Sequence, residues 1–361
     1  MKSKYSTTDK NLKNKNVNQT KKINSKYDKS NPYNLVPFKN LNPTKNEYIS
    51  LFDFVHTYND IYYIICINEK PEIIFIDILD NKIVLKIKNA HRDHIGYIMH
   101  YSDKNNKRDL FASYCKNDSI KLWNINTMEC IAAIDLLSSF GNRYLNSLFF
   151  MNLKNQLYIA ASSTFDDYFE KIVLYDLKGI KVKEIKLKIK NNIVFDLNYY
   201  YENKSQKYYF IVGGSGFLKS FDFNKNDIYK IYCSNDTIIN NQVLIYDKDK
   251  IIKLISAGGG LVRIWNFHSG VLLNNLKIDN DIHDLPKICI WNNDYLIGSC
   301  SFRGLKVFDF KNQNLPRNIS GFGYTQDVKK IIHPVYGECL IILASQSNTW
   351  KILLAINKSF L

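Results

Sequence analysis

The tetrad His91-Arg92-Asp93-His94 is the first place along the chain where side chains able to do chemistry crowd together. Two imidazoles beside a carboxylate suit acid–base work or the start of a metal site. The other histidines are isolated, so no set with zinc-like spacing forms, and His91 is expected to serve the fold while His94 sits in a loop. Two glycine runs, Gly213-Gly214-Ser215-Gly216 and Gly258-Gly259-Gly260, have the composition of phosphate cradles. A phosphate loop follows a strand and opens a helix. Each of these runs instead joins two strand-like segments and is expected to be a turn with positive φ. Asp166-Asp167 with Glu170 offers oxygen ligands to a cation, but it occupies an inserted turn and is expected to be a solvated face. No Gly-x-Ser-x-Gly elbow is present. The seven cysteines, Cys66, Cys115, Cys130, Cys233, Cys289, Cys300 and Cys339, contain no Cys-x-x-Cys pair. Several lie in apolar runs such as Ile64-Ile65-Cys66-Ile67, and buried reduced thiols are expected. No catalytic, metal or cofactor site is therefore expected.

The elements that would position these residues repeat. A strand-like run ending in an aromatic or apolar marker returns every 43 to 52 residues, at Ile76, Trp123, Tyr175, Phe221, Trp265, Phe308 and Leu353. The clearest copy is Ser119-Ile120-Lys121-Leu122-Trp123-Asn124. Around each marker lie several short runs rich in Ile, Val, Tyr and Phe, separated by Asn/Asp/Lys/Gly turns. No long window has helical periodicity. Such a period, with about four strands per unit, predicts propeller blades. Seven units can be laid out: roughly 46–89, 90–137, 143–187, 192–234, 238–279, 282–321 and 325–357. The last unit runs out of residues before a fourth strand, and Leu35 to Phe38 is expected to supply it and close the ring.

The second unit carries a more specific pattern. Ala90-His91, Ile95, Phe111-Ala112-Ser113 and Lys116-Asn117-Asp118-Ser119-Ile120-Lys121-Leu122-Trp123-Asn124 follow in an order and spacing that resemble the WD-repeat family of β-propellers. The fifth unit keeps Ser256-Ala257-Gly258-Gly259-Gly260-Leu261-Val262-Arg263-Ile264-Trp265-Asn266, with Gly259 where the family has Asp. The seventh has Leu353-Leu354 in place of Trp-Asp. The resemblance covers almost everything after residue 46 and implies an all-β, seven-bladed propeller. It also implies a chain of hydrogen bonds through His91, Ser113, Asn117 and Trp123, with Asn117 replacing the usual Asp. Phe302-Arg303-Gly304 resembles the basic motif of phosphoinositide-binding propellers but has one arginine where those have two.

Function is expected to follow the family. The reading is a non-enzymatic scaffold or adaptor for protein–protein interaction, with contacts from Tyr168, Phe169, Phe217, Phe302 and Arg303 on turns between second and third strands and from Arg92 just before a first strand. The alternative is RNA or ribonucleoprotein binding through the basic N-terminal segment and rim. The chain has a formal net charge of +15, and residues 1–30 hold nine lysines against two aspartates. Lys121, Lys219, Arg263, Lys306 and Lys351 each precede a marker by two positions, which is read first as a habit of the repeat and second as a basic ring. Residues 1–32 are Lys/Asn-rich, poor in apolar groups and expected to be disordered, with the propeller over 33–361. With no signal-like segment and no apolar run of about 18–20 residues, the expected address is intracellular, cytoplasmic or nuclear.

Overall fold

The computed structural model describes residues 32–41, 49–68, 70–116, 118–141, 144–166, 169–189, 194–234, 241–246, 251–277, 287–291, 294–300, 304–309, 316–346 and 349–357. They form seven four-stranded antiparallel sheets, a seven-bladed β-propeller. The blades cover 49–87, 95–134, 147–188, 194–234, 241–277, 288–319 and, for the seventh, 324–357 with 35–40. In the second blade the strands are Ile95–Asp103, Arg108–Cys115, Ile120–Asn124 and Glu129–Ile134, counted from the channel outward. The first strands of successive blades adjoin one another around the axis, and the first blade also meets the seventh.

Closure follows the expectation and extends it by two residues. Leu35–Asn40 is the outer strand of the seventh blade, pairing with Thr349–Asn357 from Leu35 against Asn357 to Asn40 against Leu353. The last blade is thus shared between the two ends of the propeller, and the ring has no open sheet at the seam.

The period has a packing cause. The buried apolar side chains form seven clusters, each between two neighbouring blades. Every marker points into the interface with the preceding blade: Trp123 meets Phe75 and Phe111, Phe221 joins Leu174 and Leu187, and Ile76 joins Ile341 and Leu354 across the seam. Because side chains alternate along a strand, the neighbour Leu122 faces forward into the third blade. Both faces of each blade are therefore apolar, and no blade can bury them alone. Among the described residues the α-helix is the short turn Leu137–Phe140, between the second and third blades. No helix among them is long and apolar enough to cross a membrane.

The ring has two dissimilar faces. One, here the connection face, carries the blade-to-blade connections and the turns between second and third strands. The opposite face carries the remaining turns. Gly216 (φ 77°), Gly259 (φ 58°) and Gly260 (φ 75°) turn the chain between second and third strands in left-handed backbone, so these glycine runs are hairpin turns.

Candidate interaction face and channel

The hydrogen-bond chain of the second blade is present, with one member changed. Trp123 Nε1 donates to Ser113 Oγ at 2.9 Å, and Ser113 Oγ lies 2.7 Å from His91 Nε2. His91 Nδ1 lies 2.9 Å from Asp118 Oδ2. A carboxylate can only accept, so Nδ1 carries the proton, Nε2 accepts the Ser113 hydroxyl, and the chain is satisfied by a neutral imidazole. Burial, with Lys121 nearby, pushes the His91 pKa down to about 4, against the opposing pull of Asp118. Burial would raise Asp118, but hydrogen bonds and charge from Lys121 and His91 outweigh it and hold the carboxyl below its ordinary range. The expectation that the acidic member was lost at Asn117 is corrected. Asn117 lies outside the described residues, and the acid stands one position later in the turn, at Asp118. The fifth blade keeps the inner half of the pattern, Trp265 Nε1 donating to Ser256 Oγ at 3.0 Å.

The basic residues two positions before the markers are buried or half-buried. Lys121 Nζ donates to Ala90 O at 2.6 Å and pairs with Asp118 at 3.1 Å. Arg263 and Lys306 are buried, and burial pushes the Lys219 ammonium down. Their positive charge therefore does not form an exposed ring.

Of the residues expected to make contacts, Arg92 is exposed on the connection face. Phe217 is not available: it opens the strand Phe217–Asp222, is 1% exposed, and packs between the third and fourth blades. Strand alternation turns its ring inward, so that expectation is corrected. Tyr168, Phe302 and Arg303 lie outside the described residues, as does the side chain of Phe169. Glu170, expected on a solvated face, is instead buried and accepts from Asn146 Nδ2 at 3.0 and 3.2 Å. Cys66, Cys115 and Cys339 are buried as expected, whereas Cys130 is exposed.

The exposed apolar side chains of the connection face are different ones. Tyr144 is 66% and Leu137 62% exposed beside the helical turn, and Phe195 and Tyr324 stand exposed at the starts of the inner strands of the fourth and seventh blades. Lys116 Nζ lies 3.4 Å from the centre of the Tyr144 ring. Beneath this face the channel widens into a cavity of about 480 Å³ lined by Leu51, Tyr97, Cys289, Asp327, Lys329 and Lys330, among others. Asp53 spans three blades here: Lys329 Nζ of the seventh meets Oδ1 at 2.7 Å, and the His100 backbone amide of the second donates to Oδ2 at 2.7 Å. Burial raises the Asp327 carboxyl despite the opposing charges of Lys329 and Lys287, and burial takes the Tyr97 hydroxyl to about 12. The channel residues were not singled out in the sequence. Their signal is a charge inside an apolar run, as in Leu51-Phe52-Asp53-Phe54-Val55, which marks the channel side of an inner strand. Among the described residues no three His, Cys, Asp or Glu side chains converge on a metal-sized site.

No protein-family model matches the chain, and no curated protein matches it in sequence.

Proposed function

We propose that the chain is a non-enzymatic interaction scaffold of the WD-repeat type that holds protein segments against the connection face of its ring. The observation that carries this reading is the set of exposed aromatic and aliphatic side chains there, Leu137, Tyr144, Phe195 and Tyr324, with Arg92. Large apolar side chains left in water on a rigid framework supply anchor residues at little ordering cost. The His91–Asp118, Ser113 and Trp123 chain supports the WD-repeat assignment and holds the turns of that face in place. Fold alone does not fix function, so the test addresses the face.

The test compares the native protein with the combined Tyr144→Ala/Tyr324→Ala variant. Both substituted side chains are exposed, so an unchanged melting temperature is expected. Affinity capture under nuclease treatment, followed by mass spectrometry, is expected to lose its main protein partners in the variant. An identical partner set at matched stability overturns the proposal. A third sample lacking residues 1–30, run across a salt series, separates capture by the basic segment, which fades with screening, from capture by the face.

A further inference from the structure

We propose that the opposite face carries a nucleotide-binding pocket between the third and fourth blades, built for bases of a single-stranded nucleic acid. This rests on none of the residues of the connection face. The cavity, about 340 Å³, falls in the size range of small-ligand pockets. Its walls combine three chemistries. Half-buried Tyr158 gives aromatic surface, with smaller contributions from Tyr208 and Phe223, each 8% exposed; Gln156, Gln206 and Asn224 bring carboxamides to the rim; and Lys154 and Lys183 bring cations. A base needs that first pair of features, a flat apolar surface for its ring and donors and acceptors for its edge, and its phosphate needs the third.

The site is held in shape before any ligand arrives. Lys154 (φ 50°), Asn155 (φ 65°) and Gln206 (φ 54°) sit in tight left-handed turns. The Lys154 amide donates to Tyr208 Oη at 3.1 Å, tying the third blade's turn to the fourth blade. Tyr201, exposed at the end of its strand, stacks on Tyr208 with ring centres 4.4 Å apart and extends the aromatic surface beyond the pocket. Lys183 Nζ lies 4.0 Å from the centre of the Phe223 ring, and neither it nor Lys154 pairs with a carboxylate among the described residues.

Charge separates an extended nucleic acid from a neutral or cationic ligand. The four turns around the cavity and the strand residues that flank them, residues 153–156, 175–183, 202–207 and 222–227, hold seven lysines and four carboxylates, Asp176, Glu202, Asp222 and Asp227. Asp176 accepts from the backbone amides of Lys178 and Ile180 at 2.9 and 2.8 Å, Asp222 from those of Asn224 and Lys225, and Asp227 from that of Ile228. The neighbouring Glu184 pairs with Lys171 and Lys181, and Glu202 is held by His268 and the Ser205 hydroxyl. The acids near the pocket are thus tied up, while lysines outnumber what one phosphate requires. A polyanion running across several turns fits this distribution better than a free nucleotide does.

The test uses the full chain, fluorescence anisotropy and a labelled single-stranded RNA 12-mer, with the same sequence as a duplex and unlabelled AMP as competitors. The single strand is expected to bind with a salt-dependent affinity and the duplex to compete poorly. Lys154→Gln/Lys183→Gln should lower the logarithmic salt slope by about 1.4, roughly 0.7 for each lost phosphate contact. Tyr201→Ala should weaken binding roughly tenfold with the slope unchanged, as loss of one stacking surface does. All three positions are on the surface, and unchanged melting temperatures confirm the fold. Competition by AMP near the RNA's own affinity would assign the pocket to a free nucleotide and overturn the polymer. Binding that is unaffected by the pocket variants, or abolished only by removing residues 1–30, would overturn the pocket itself.

Discussion

Acidification should destabilise this propeller through His91, and the amount can be worked from its surroundings. The imidazole is neutral in the folded ring, its pKa pushed from 6.5 to about 4 by burial and Lys121. The folded pKa lies below the unfolded one, so between these values the unfolded chain binds the proton more readily. Stability is therefore constant above about pH 6.5, falls as pH drops towards 4, and levels off below. The full difference of about 2.5 pH units corresponds to about 3 kcal/mol, of which about 2 kcal/mol is lost by pH 5. Protonating Nε2 would also remove the acceptor for the Ser113 hydroxyl, and with it the proton arrangement that links Trp123 to Asp118. The assay is urea unfolding at pH 7.5 and pH 5, on the native protein and on His91→Gln, with the imidazole titrated by NMR. His91→Gln should be less stable at pH 7.5 and lose less on acidification. A His91 pKa near 6.5, or an equal pH slope in the variant, refutes the reasoning. His333 adds a similar loss in both proteins, since burial and Lys39 take it to about 4 and its Nδ1 accepts from the Val335 and Tyr336 amides at 3.1 and 3.3 Å.

Two further outcomes concern the ring itself. Trp123→Ala should cost about 3–5 kcal/mol, because the indole stacks on Phe111 at 5.6 Å and fills the interface between the first two blades; thermal melting checks it, and an unchanged midpoint would deny the marker its packing role. Removing residues 1–40 should destabilise the ring by roughly 3–6 kcal/mol through exposure of Leu35 and the surfaces it covers at the seam, whereas removing residues 1–30 should not; equal melting of the two truncations would show that the outer strand of the seventh blade adds nothing to closure.

How much of this was legible in the sequence follows from which residues a blade needs for its own geometry. The markers were legible because each must fill the same interface with the preceding blade, so their type and spacing are fixed by the ring's repeat. The partners of Trp123 were legible for the same reason, Ser113 standing on the paired strand two residues from Phe111, which lies opposite Trp123. Asp118 was missed because it sits in a turn, where one residue's shift changes which side chain reaches His91 without altering the strands. Phe217 shows the reverse error. Placed in the Gly213–Gly216 turn it would be a contact residue, but it is already the first residue of a strand, and there side-chain direction follows strand alternation. Asp53 is a charge on the first blade's inner strand, and its meeting with Lys329 depends on the seam between blades 7 and 1, which no local pattern encodes.

The same closure that buries both sides of every blade leaves two sets of turns with nothing to cover them, and the two have diverged. On the connection face, side chains such as Tyr144 and Tyr324 stand in water above a channel where Asp53 and Lys329 neutralise one another. On the opposite face, lysines and carboxamides surround aromatic rings between the third and fourth blades. The two are separated by the length of an inner strand. Val194–Glu202, nine residues long, spans about 30 Å. That is several times the Debye length of about 8 Å at physiological ionic strength, so charge bound on one face is screened from the other. Coupling would then have to pass through the blades, whose interfaces are closely packed and which Asp53, Tyr208 and Tyr232 cross-link by hydrogen bonds between neighbours. A ring built this way favours independent occupation of its two faces. A protein segment and a nucleic-acid strand held at once would be brought together by the ring's thickness alone, with no conformational change required of it.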